Sequence, residues 1–458
     1  MRVTIRSTRK ILGPCLVVVL ALGGCGEGDT DYLNEHENGE NDNDEKDNGE
    51  NGNGEPPCDV PGLRASGVLD FELETVNVGG EVTVDGKVMP SSGMPGYERA
   101  YLRFQDRKTG SNHDVALGES GPADYASTLF TGDYKVYLVP NSHPYQDVLP
   151  ESLHILNHDV SLREAGVLDF DIKTVDISGE VRLNAETMPS STTPQYERAH
   201  IRFVDRVSGG TSSVSLGGSG AGAYAITLFE GVYDIYFIPN GHNFQDVLPA
   251  SSLLLKEDVS LSQSGVFDFD LETVDVSGEV TLRGAAMPAS STPSYERAHI
   301  SFTDRVSGGS LSVTLDGSGE ATYAATLFKG RYDIRLVPNG PSFQDVLPAS
   351  MLLLAEDTSL MRSGVLDFDL ETVDVAGEVT LDGAMLPTSS TPSYERAHLY
   401  FTDRASGGLV SIPLGGSGTA TYEATLFAGD YEVHLQPNGR SYQDVLPLNL
   451  HLLLRACD

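Results

Sequence analysis

Four copies of one short motif are the strongest candidates for chemistry in this sequence. The letters FQDVLP run from Phe343 to Pro348, and close variants begin at Tyr145, Phe244 and Tyr442. Gln and Asp can hydrogen-bond a polar ligand, and an adjacent aromatic ring can stack on a sugar. The same residues can instead close a loop by bonding to its backbone, with the aromatic ring and Val346 docked on the core. Both interpretations remain open, and the candidate ligand residues are Tyr145, Gln146, Asp147, Phe244, Gln245, Asp246, Phe343, Gln344, Asp345, Tyr442, Gln443 and Asp444.

Motifs typical of enzymes and metal sites are missing from the sequence. It contains no G-x-S-x-G, no H-E-x-x-H and no phosphate-binding P-loop. His299 and its copies His200 and His398 occur once in each of the last three repeats, near an Arg, and the first repeat has Tyr101 there, which makes a poor metal site. Asp367 and Asp369 could hold calcium, but their spacing is that of a strand's solvent face, and calcium binding stays open. We therefore predict a non-catalytic protein that needs no cofactor and no metal.

The charge balance argues against nucleic acid as a partner. The 458 residues include 30 Lys and Arg against 66 Asp and Glu, a net charge of −36. Binding to phosphates requires clustered cations, which this chain lacks.

A fixed period organises most of the chain. The motif GVLDF or GVFDF begins at Gly67, Gly166, Gly265 and Gly364, at constant intervals of 99 residues. A period of this length indicates one structural unit copied in tandem, large enough to have its own core. The predicted domains are residues 58–165, 166–264, 265–363 and 364–458.

Within each repeat, apolar residues alternate with polar ones, as in half-buried strands. In the third repeat the alternation points Phe269 and Leu271 inward, and in RAHISF it points Ile300 and Phe302 inward and Arg297 outward. The pairs Glu98-Arg99 and Asp106-Arg107, with their copies, are accordingly interpreted as surface charges. Short strands separated by SGG, GSG and PNG turns predict an all-β chain of four tandem antiparallel β-sandwiches, Ig-like or transthyretin-like.

One part of each repeat resembles a known family. The segments SGEVTLRGAAMP, AHISF and GSGEATYAATLFKGRYDIRLVPN, between Gly278 and Asn339, are similar to the carboxypeptidase-regulatory, transthyretin-like sandwich. The resemblance rests on Leu327, Gly330 and Tyr332 and covers about 60 of each 99 residues. It implies an accessory role in folding, spacing or binding, and a buried Tyr whose hydroxyl bonds to nearby backbone. The segment from QDVLP through LLL to GVFDF departs from the family pattern and is expected to add strands.

The N-terminus predicts export. Basic residues in MRVTIRSTRK precede a short apolar run, which is typical of a signal peptide over residues 1–24. The end, Leu22-Gly23-Gly24-Cys25, resembles the bacterial lipobox, which implies cleavage before Cys25 and a lipid anchor on it. Removing four basic residues would change the net charge from −36 to −40. We expect a location in the cell envelope, at the outer membrane or cell surface.

An acidic segment and two cysteines complete the mature chain. Residues 26–57 hold 12 acidic residues and one basic residue, so residues 25–57 are predicted to be a lipidated Cys and a disordered acidic linker. Cys58 and Cys457 flank the repeats and form a candidate disulfide, which would close four units into a ring. A linear rod with free or intermolecular thiols is the alternative, and the oligomeric state stays open.

These observations favour a structural or adhesive surface lipoprotein. The expected partners are the membrane, through the lipid, and an extracellular protein or glycan. The alternative is multivalent binding of a carbohydrate or another extracellular ligand through the repeated loops, where four weak sites gain by avidity.

Overall fold

The computed structural model describes residues 2–6 and 68–454, apart from Pro95, Pro144 and His242. The described residues form strands and turns without a helix, and therefore contain no helix able to cross a membrane. Cys25, Cys58 and Cys457, and nearly all of the predicted signal peptide and acidic linker, lie outside the described residues.

The strands recur with the period of the sequence. The first strands are Arg2–Arg6, Val68–Glu72, Thr75–Val84, Lys87–Val88, Ala100–Asp106, Asn112–Ala116, Ala123–Phe130, Gly132–Pro140 and His154–Leu162. Next come Gly166–Val167, Phe170–Ile172, Thr174–Leu183, Glu186–Thr187, Ala199–Asp205, Thr211–Leu216, Gly222–Phe229, Gly231–Pro239 and Leu253–Leu261. The third set is Gly265–Val266, Phe269–Leu271, Thr273–Leu282, Ala285–Ala286, Ala298–Asp304, Ser310–Leu315, Thr322–Phe328, Gly330–Pro338 and Leu352–Leu360. The last is Gly364–Val365, Phe368–Leu370, Thr372–Glu378, Thr380–Leu381, Ala384–Met385, Ala397–Asp403, Leu409–Leu414, Thr421–Phe427, Tyr431–Pro437 and His451–Leu454.

These strands build four β-sandwiches, which we number by their residues: 75–162, 174–261, 273–360 and 372–454. In the third sandwich one sheet has the order Ser310–Leu315, Ala298–Asp304, Gly330–Pro338, Leu352–Leu360, with every pair antiparallel. The second sheet pairs Thr273–Leu282 with Thr322–Phe328, also antiparallel. The all-β, tandem-sandwich fold predicted from the sequence is confirmed.

Side chains that alternate along the strands fill the space between the two sheets. In the third sandwich Val280, Ile300, Phe302 and Ile334 are fully buried, because a period of two points them all to the inner face. The hydroxyl of buried Tyr332 donates to the carbonyl oxygen of Phe328 at 2.7 Å, as the family resemblance implied. The expected extra strands are also present, since the LLL and GVFDF segments both pair.

Each GVLDF motif after the first pairs with the preceding sandwich. We call Gly166–Ile172, Gly265–Leu271 and Gly364–Leu370 the docking strands, and the strand that begins each sandwich its acceptor strand. The third docking strand runs parallel to the acceptor strand of the third sandwich, with Gly364 opposite Val276 and Leu370 opposite Leu282. The other two pair in the same register. The first three cores therefore each include a residue beyond the predicted repeat boundary, namely Ile172, Leu271 and Leu370.

A glycine makes this junction possible. A Cβ atom at Gly278 in the acceptor strand would lie 1.8 Å from the carbonyl oxygen of Leu366 in the docking strand. The hydroxyl of Tyr323 donates to the same oxygen at 2.6 Å, and Asp367 accepts the backbone N–H of Glu279 at 2.9 Å. The first two sandwiches repeat the glycine and both hydrogen bonds, with Gly80 and Gly179. The acidic residues of the motif, interpreted as a solvent face, thus also tie one sandwich to the next.

A phenylalanine adds a second contact between neighbours. Phe229, Phe328 and Phe427 are buried in the core of the sandwich before their own. Phe130 has the equivalent position in the first sandwich and is more than half exposed. Successive sandwiches therefore share both a strand and part of a core.

The glycine junction predicts a position-dependent effect of one substitution. Gly278→Ala should lower the free energy of unfolding by about 1–3 kcal/mol, because the added methyl group collides with docking-strand backbone. Gly377→Ala, at the same position of the fourth sandwich, should lower it by clearly less, since the nearest atoms belong to the Tyr422 side chain, which can turn aside at a cost of about 1 kcal/mol or less. Guanidinium denaturation followed by tyrosine fluorescence measures both, and equal losses would contradict the docking geometry.

Candidate binding site on the repeated loops

The glutamine of each FQDVLP motif hydrogen-bonds to the backbone of its own loop. Gln344 is buried, its Nε2 donates to the carbonyl oxygens of Asn339 and Leu347 at 3.0 and 2.9 Å, and its Oε1 accepts the N–H groups of Val346 and Leu347. Gln146, Gln245 and Gln443 make the same four bonds. A side chain with all its hydrogen bonds made internally has little left for a ligand, so the loop-closing interpretation holds for the glutamines.

The aspartate joins this loop to a second loop of the same sandwich, MPASSTPSYERA in the third repeat (Met287–Ala298), which we call the Pro-Ser-Thr loop. Asp345 accepts the backbone N–H of Ser291 at 2.9 Å and the hydroxyl of Ser290 at 3.2 Å. The N–H of Ser291 is the main cause that lowers the pKa of Asp345 below its ordinary value. Asp147, Asp246 and Asp444 bridge the two loops in the same way. The FQDVLP loop and the Pro-Ser-Thr loop are therefore joined into one surface in each sandwich.

The aromatic residue of the motif lies outside this braced interior. The expectation that Phe343 docks on the core is wrong, because its side chain is 46 % exposed. Its ring instead pairs with that of Tyr295 from the neighbouring loop, with centroids 5.2 Å apart. The same pair recurs as Tyr97–Tyr145, Tyr196–Phe244 and Tyr394–Tyr442, with centroids 4.8–5.3 Å apart and every ring about half exposed.

A buried arginine binds the backbone at the start of the Pro-Ser-Thr loop. The prediction that this arginine is a surface charge is therefore wrong. Arg297 is fully buried rather than a surface charge, and so are Arg99, Arg198 and Arg396. Its guanidinium donates to the carbonyl oxygens of Met287, Pro288, Asp316 and Gly319 at 2.5–3.1 Å. Burial lowers the pKa of this guanidinium from its ordinary value. The arginine therefore fixes the start of the Pro-Ser-Thr loop to the GSG turn.

The acid of the second predicted surface pair is also internal in three sandwiches. Asp205, Asp304 and Asp403 are buried, whereas Asp106 is partly exposed. Asp304 accepts the N–H groups of Val306 and Ser307 and the hydroxyl of Ser307, which closes the turn after its strand. The prediction of surface charges is wrong for these three residues because a tight turn needs acceptors for its free N–H groups.

The alternation of apolar and polar residues predicted the wrong environment for Arg297, and the strand boundary explains why. The strand begins at Ala298, so Arg297 precedes it and the period of two does not apply there. One signal was available in the sequence, namely that Arg follows Tyr-Glu at the entrance to the same strand in all four repeats.

The surface offers half-exposed aromatic rings that can stack on a ligand. The loop hydroxyls near them are bonded internally in the third sandwich, Ser290 to Asp345 and Thr292 to the carbonyl oxygen of Phe343. No group of three His, Cys, Asp or Glu able to hold a metal ion occurs in the described part of the chain. The ligand role of the candidate residues remains a prediction.

Comparison with known proteins gives structural neighbours only. No family model matches the chain, and no curated protein is significantly similar to it. The chain is similar to the Bacillus anthracis TIE protein, with 11 % identity, a TM-score of 0.16 and coverage of 67 % of this chain and 53 % of that one. It thus spans about half the length of that protein.

Two shorter neighbours are covered almost completely. The minor pilin of Streptococcus agalactiae has 10 % identity, a TM-score of 0.23 and coverage of 43 % of this chain and 95 % of that one. A DUF3823 family protein from Parabacteroides merdae has 12 % identity, a TM-score of 0.17 and coverage of 40 % and 100 %. TM-scores this low carry no argument about function.

The buried arginine predicts a large effect from a conservative change. Arg297→Lys should lower the free energy of unfolding by about 3 kcal/mol or more, because an ammonium cannot reach four carbonyl oxygens that are shielded from water. The matched control is Arg335→Lys, at a partly exposed arginine of the same sandwich, with an expected change below about 0.5 kcal/mol. Chemical denaturation compares the two, and a small loss for Arg297→Lys would show that the carbonyl groups find other partners.

Proposed function

We propose that this chain is an exported, lipid-anchored and non-catalytic surface protein with a structural and adhesive role. The observation that carries the proposal is the strand-sharing junction, which joins successive sandwiches through backbone hydrogen bonds and a shared core. A chain joined in this way resists separation of its parts better than domains on free linkers. This is the property that a spacer between a membrane and its surroundings requires.

The sequence supports the anchor end of this proposal. Cys25 follows Leu22-Gly23-Gly24, and the acidic linker separates it from the first sandwich. We expect self-repulsion among the linker's carboxylates to extend this segment, so that it would act as a spacer between the lipid and the sandwiches.

The anchor is tested by replacing one residue. Cys25→Ala should abolish incorporation of labelled fatty acid and move the protein from the membrane fraction to the soluble exported fraction, because the thiol is the lipid attachment site. Cys58→Ala is the matched control and should remain membrane-bound. Protease added to intact cells should remove the wild-type protein. Membrane retention of Cys25→Ala, or protection from the protease, would refute the anchored surface assignment.

A second candidate function is multivalent binding of a glycan, which the four exposed aromatic pairs favour. Paired rings that are about half exposed on braced loops suit stacking against the apolar face of a sugar. Four weak sites on one chain would bind a repetitive surface by avidity.

This candidate is tested by removing the rings together. The quadruple variant with Ala at Tyr145, Phe244, Phe343 and Tyr442 should lose at least about tenfold in apparent affinity on a glycan array, while its unfolding transition changes little. Replacing the exposed side chains Val167, Val266 and Val365 with Ala provides a control. Glycan binding that survives in the quadruple variant would place the ligand elsewhere. If the wild-type protein bound no glycan on the array and cell adhesion were unchanged in the variant, glycan binding would be rejected as the function.

A further inference from the structure

The fourth sandwich has an acceptor strand without a docking strand. Among the described residues, Thr372–Glu378 pairs only with Thr421–Phe427, and Thr380–Leu381 only with Ala384–Met385. Val379 is partly exposed, whereas its equivalents Val82, Val181 and Val280 are fully buried. A groove of about 610 Å³ opens along this edge, lined by Val375, Val379, Phe401, Tyr422 and Val433 among others.

This groove retains the groups that hold a docking strand elsewhere. Gly377 has the position of Gly278, and the three atoms nearest to where its Cβ would be belong to the Tyr422 side chain rather than to a docking-strand carbonyl group. Tyr422 corresponds to Tyr323, but its hydroxyl finds no acceptor among the described residues, whereas that of Tyr323 donates to Leu366. Thr380 and Gly383 correspond to Thr281 and Gly284, which hydrogen-bond Asp369 of the docking strand. The empty edge is thus a complete acceptor site.

The other end of the array carries an unused docking strand. Val68–Glu72 belongs to the first GVLDF motif, and its only strand partner in the described chain is Arg2–Arg6. Leu73 is 65 % exposed, whereas Ile172, Leu271 and Leu370 at the same position are 1 % exposed. Phe71 and Phe130 are also about half exposed. Arg2–Arg6 lies within the predicted signal peptide, so the inference rests on the proposed export, which removes this partner.

We propose that Val68–Leu73, the first docking motif, of one copy binds the acceptor strand of the fourth sandwich in a second copy. Chains would then assemble head to tail. The occupant follows from the chain itself, since three internal junctions show the motif bound to this kind of edge in one register. The contact is β-strand addition, in which main-chain hydrogen bonds give affinity and buried alternate side chains give specificity. Among the described residues one docking motif and one acceptor edge are left without a partner sandwich, so the proposed contact is heterologous and would propagate into a filament.

Two differences make this contact weaker than the internal ones. Glu72 stands where the other motifs have Asp171, Asp270 and Asp369. Ser111 stands where Gly210, Gly309 and Gly408 bring the backbone of the preceding sandwich close. A Cβ at Gly309 would lie 2.2 Å from the carbonyl oxygen of Ser252, so Ser111 obliges the second copy to shift slightly. Reversible association between copies is the expected result, and Ser111→Gly should strengthen it.

The cysteines give the proposal an independent readout. Counting by the period, Cys58 corresponds to Ala355 (58 + 3 × 99) and Cys457 to Thr358 (457 − 99). Both equivalents lie on one strand, Leu352–Leu360, which leads into the third docking strand. Both cysteines lie outside the described residues, and from this count we expect a head-to-tail contact to bring Cys58 of one copy near Cys457 of the other.

The test uses the chain from Gly26 to Asp458, which keeps every sandwich and lacks only the signal peptide and the lipidated residue. In reducing buffer, sedimentation and light scattering should show oligomers that grow with concentration. Leu73→Asp and Gly377→Ala should each weaken association at least about tenfold, because one removes the buried anchor and the other blocks the acceptor backbone. Leu73 is exposed in the single chain and the methyl group at Gly377 meets the movable Tyr422 side chain, so the fold, checked by circular dichroism, should be retained in both variants.

Matched controls separate this contact from general stickiness. Leu409→Asp changes an exposed leucine whose equivalents are Asn112, Thr211 and Ser310, and Gly415→Ala changes a glycine whose equivalent in the third sandwich is Asp316. Both should assemble like the wild type. After mild oxidation, peptide mapping should find Cys58 of one copy linked to Cys457 of another.

Several outcomes would overturn the proposal. A chain that stays monomeric at all concentrations, or oligomers that persist unchanged in Leu73→Asp and Gly377→Ala, would exclude this contact. A Cys58–Cys457 link found only within single chains would mean that the junction closes a ring instead. Assembly of the purified chain does not depend on lipid, so a failure of the Cys25 experiment would leave this result standing.

Discussion

The close approach of two backbones at a bare glycine is the contact on which the array depends. At Gly278 the docking-strand carbonyl oxygen of Leu366 occupies space that any side chain would fill, and the Tyr323 hydroxyl donates to that oxygen. The contact orients the strand so that Leu370 closes the preceding core. An acceptor strand without it is an open sheet edge with apolar residues exposed, as in the fourth sandwich.

The loops that carry the aromatic pairs depend on a second principle, that buried backbone groups need partners. Loop residues cannot pair in a ladder, so side chains take over that task. Arg297 donates to four carbonyl oxygens, Gln344 serves two carbonyl and two N–H groups, and Asp345 joins the two loops. The polar residues of the motif therefore hold the loop backbone in place, and the rings of Tyr295 and Phe343 are the exposed part of these loops.

The two principles together bear on the proposed roles of scaffold and display. The junctions use the acceptor edge of each sandwich and the backbone just after the FQDVLP motif, where Ser307 donates to Ser252, whereas the paired rings of Tyr295 and Phe343 stay about half exposed. Repetition gives four similar surfaces on one chain and, if copies join head to tail, many more.

The sequence by itself determined the repeat, the all-β class and the inward residues such as Ile300, Phe302 and Tyr332, because the period of two is a local property of a strand. It misjudged Arg297 and Phe343, since both lie in loops where local alternation has no meaning. It also left the partner of each GVLDF motif undetermined. Only the tertiary structure decided that the motif pairs with the preceding sandwich, because strand pairing is a contact between residues distant in sequence. The site formed by Gly278 and the Tyr323 hydroxyl, which receives the carbonyl group of Leu366, exists only after folding.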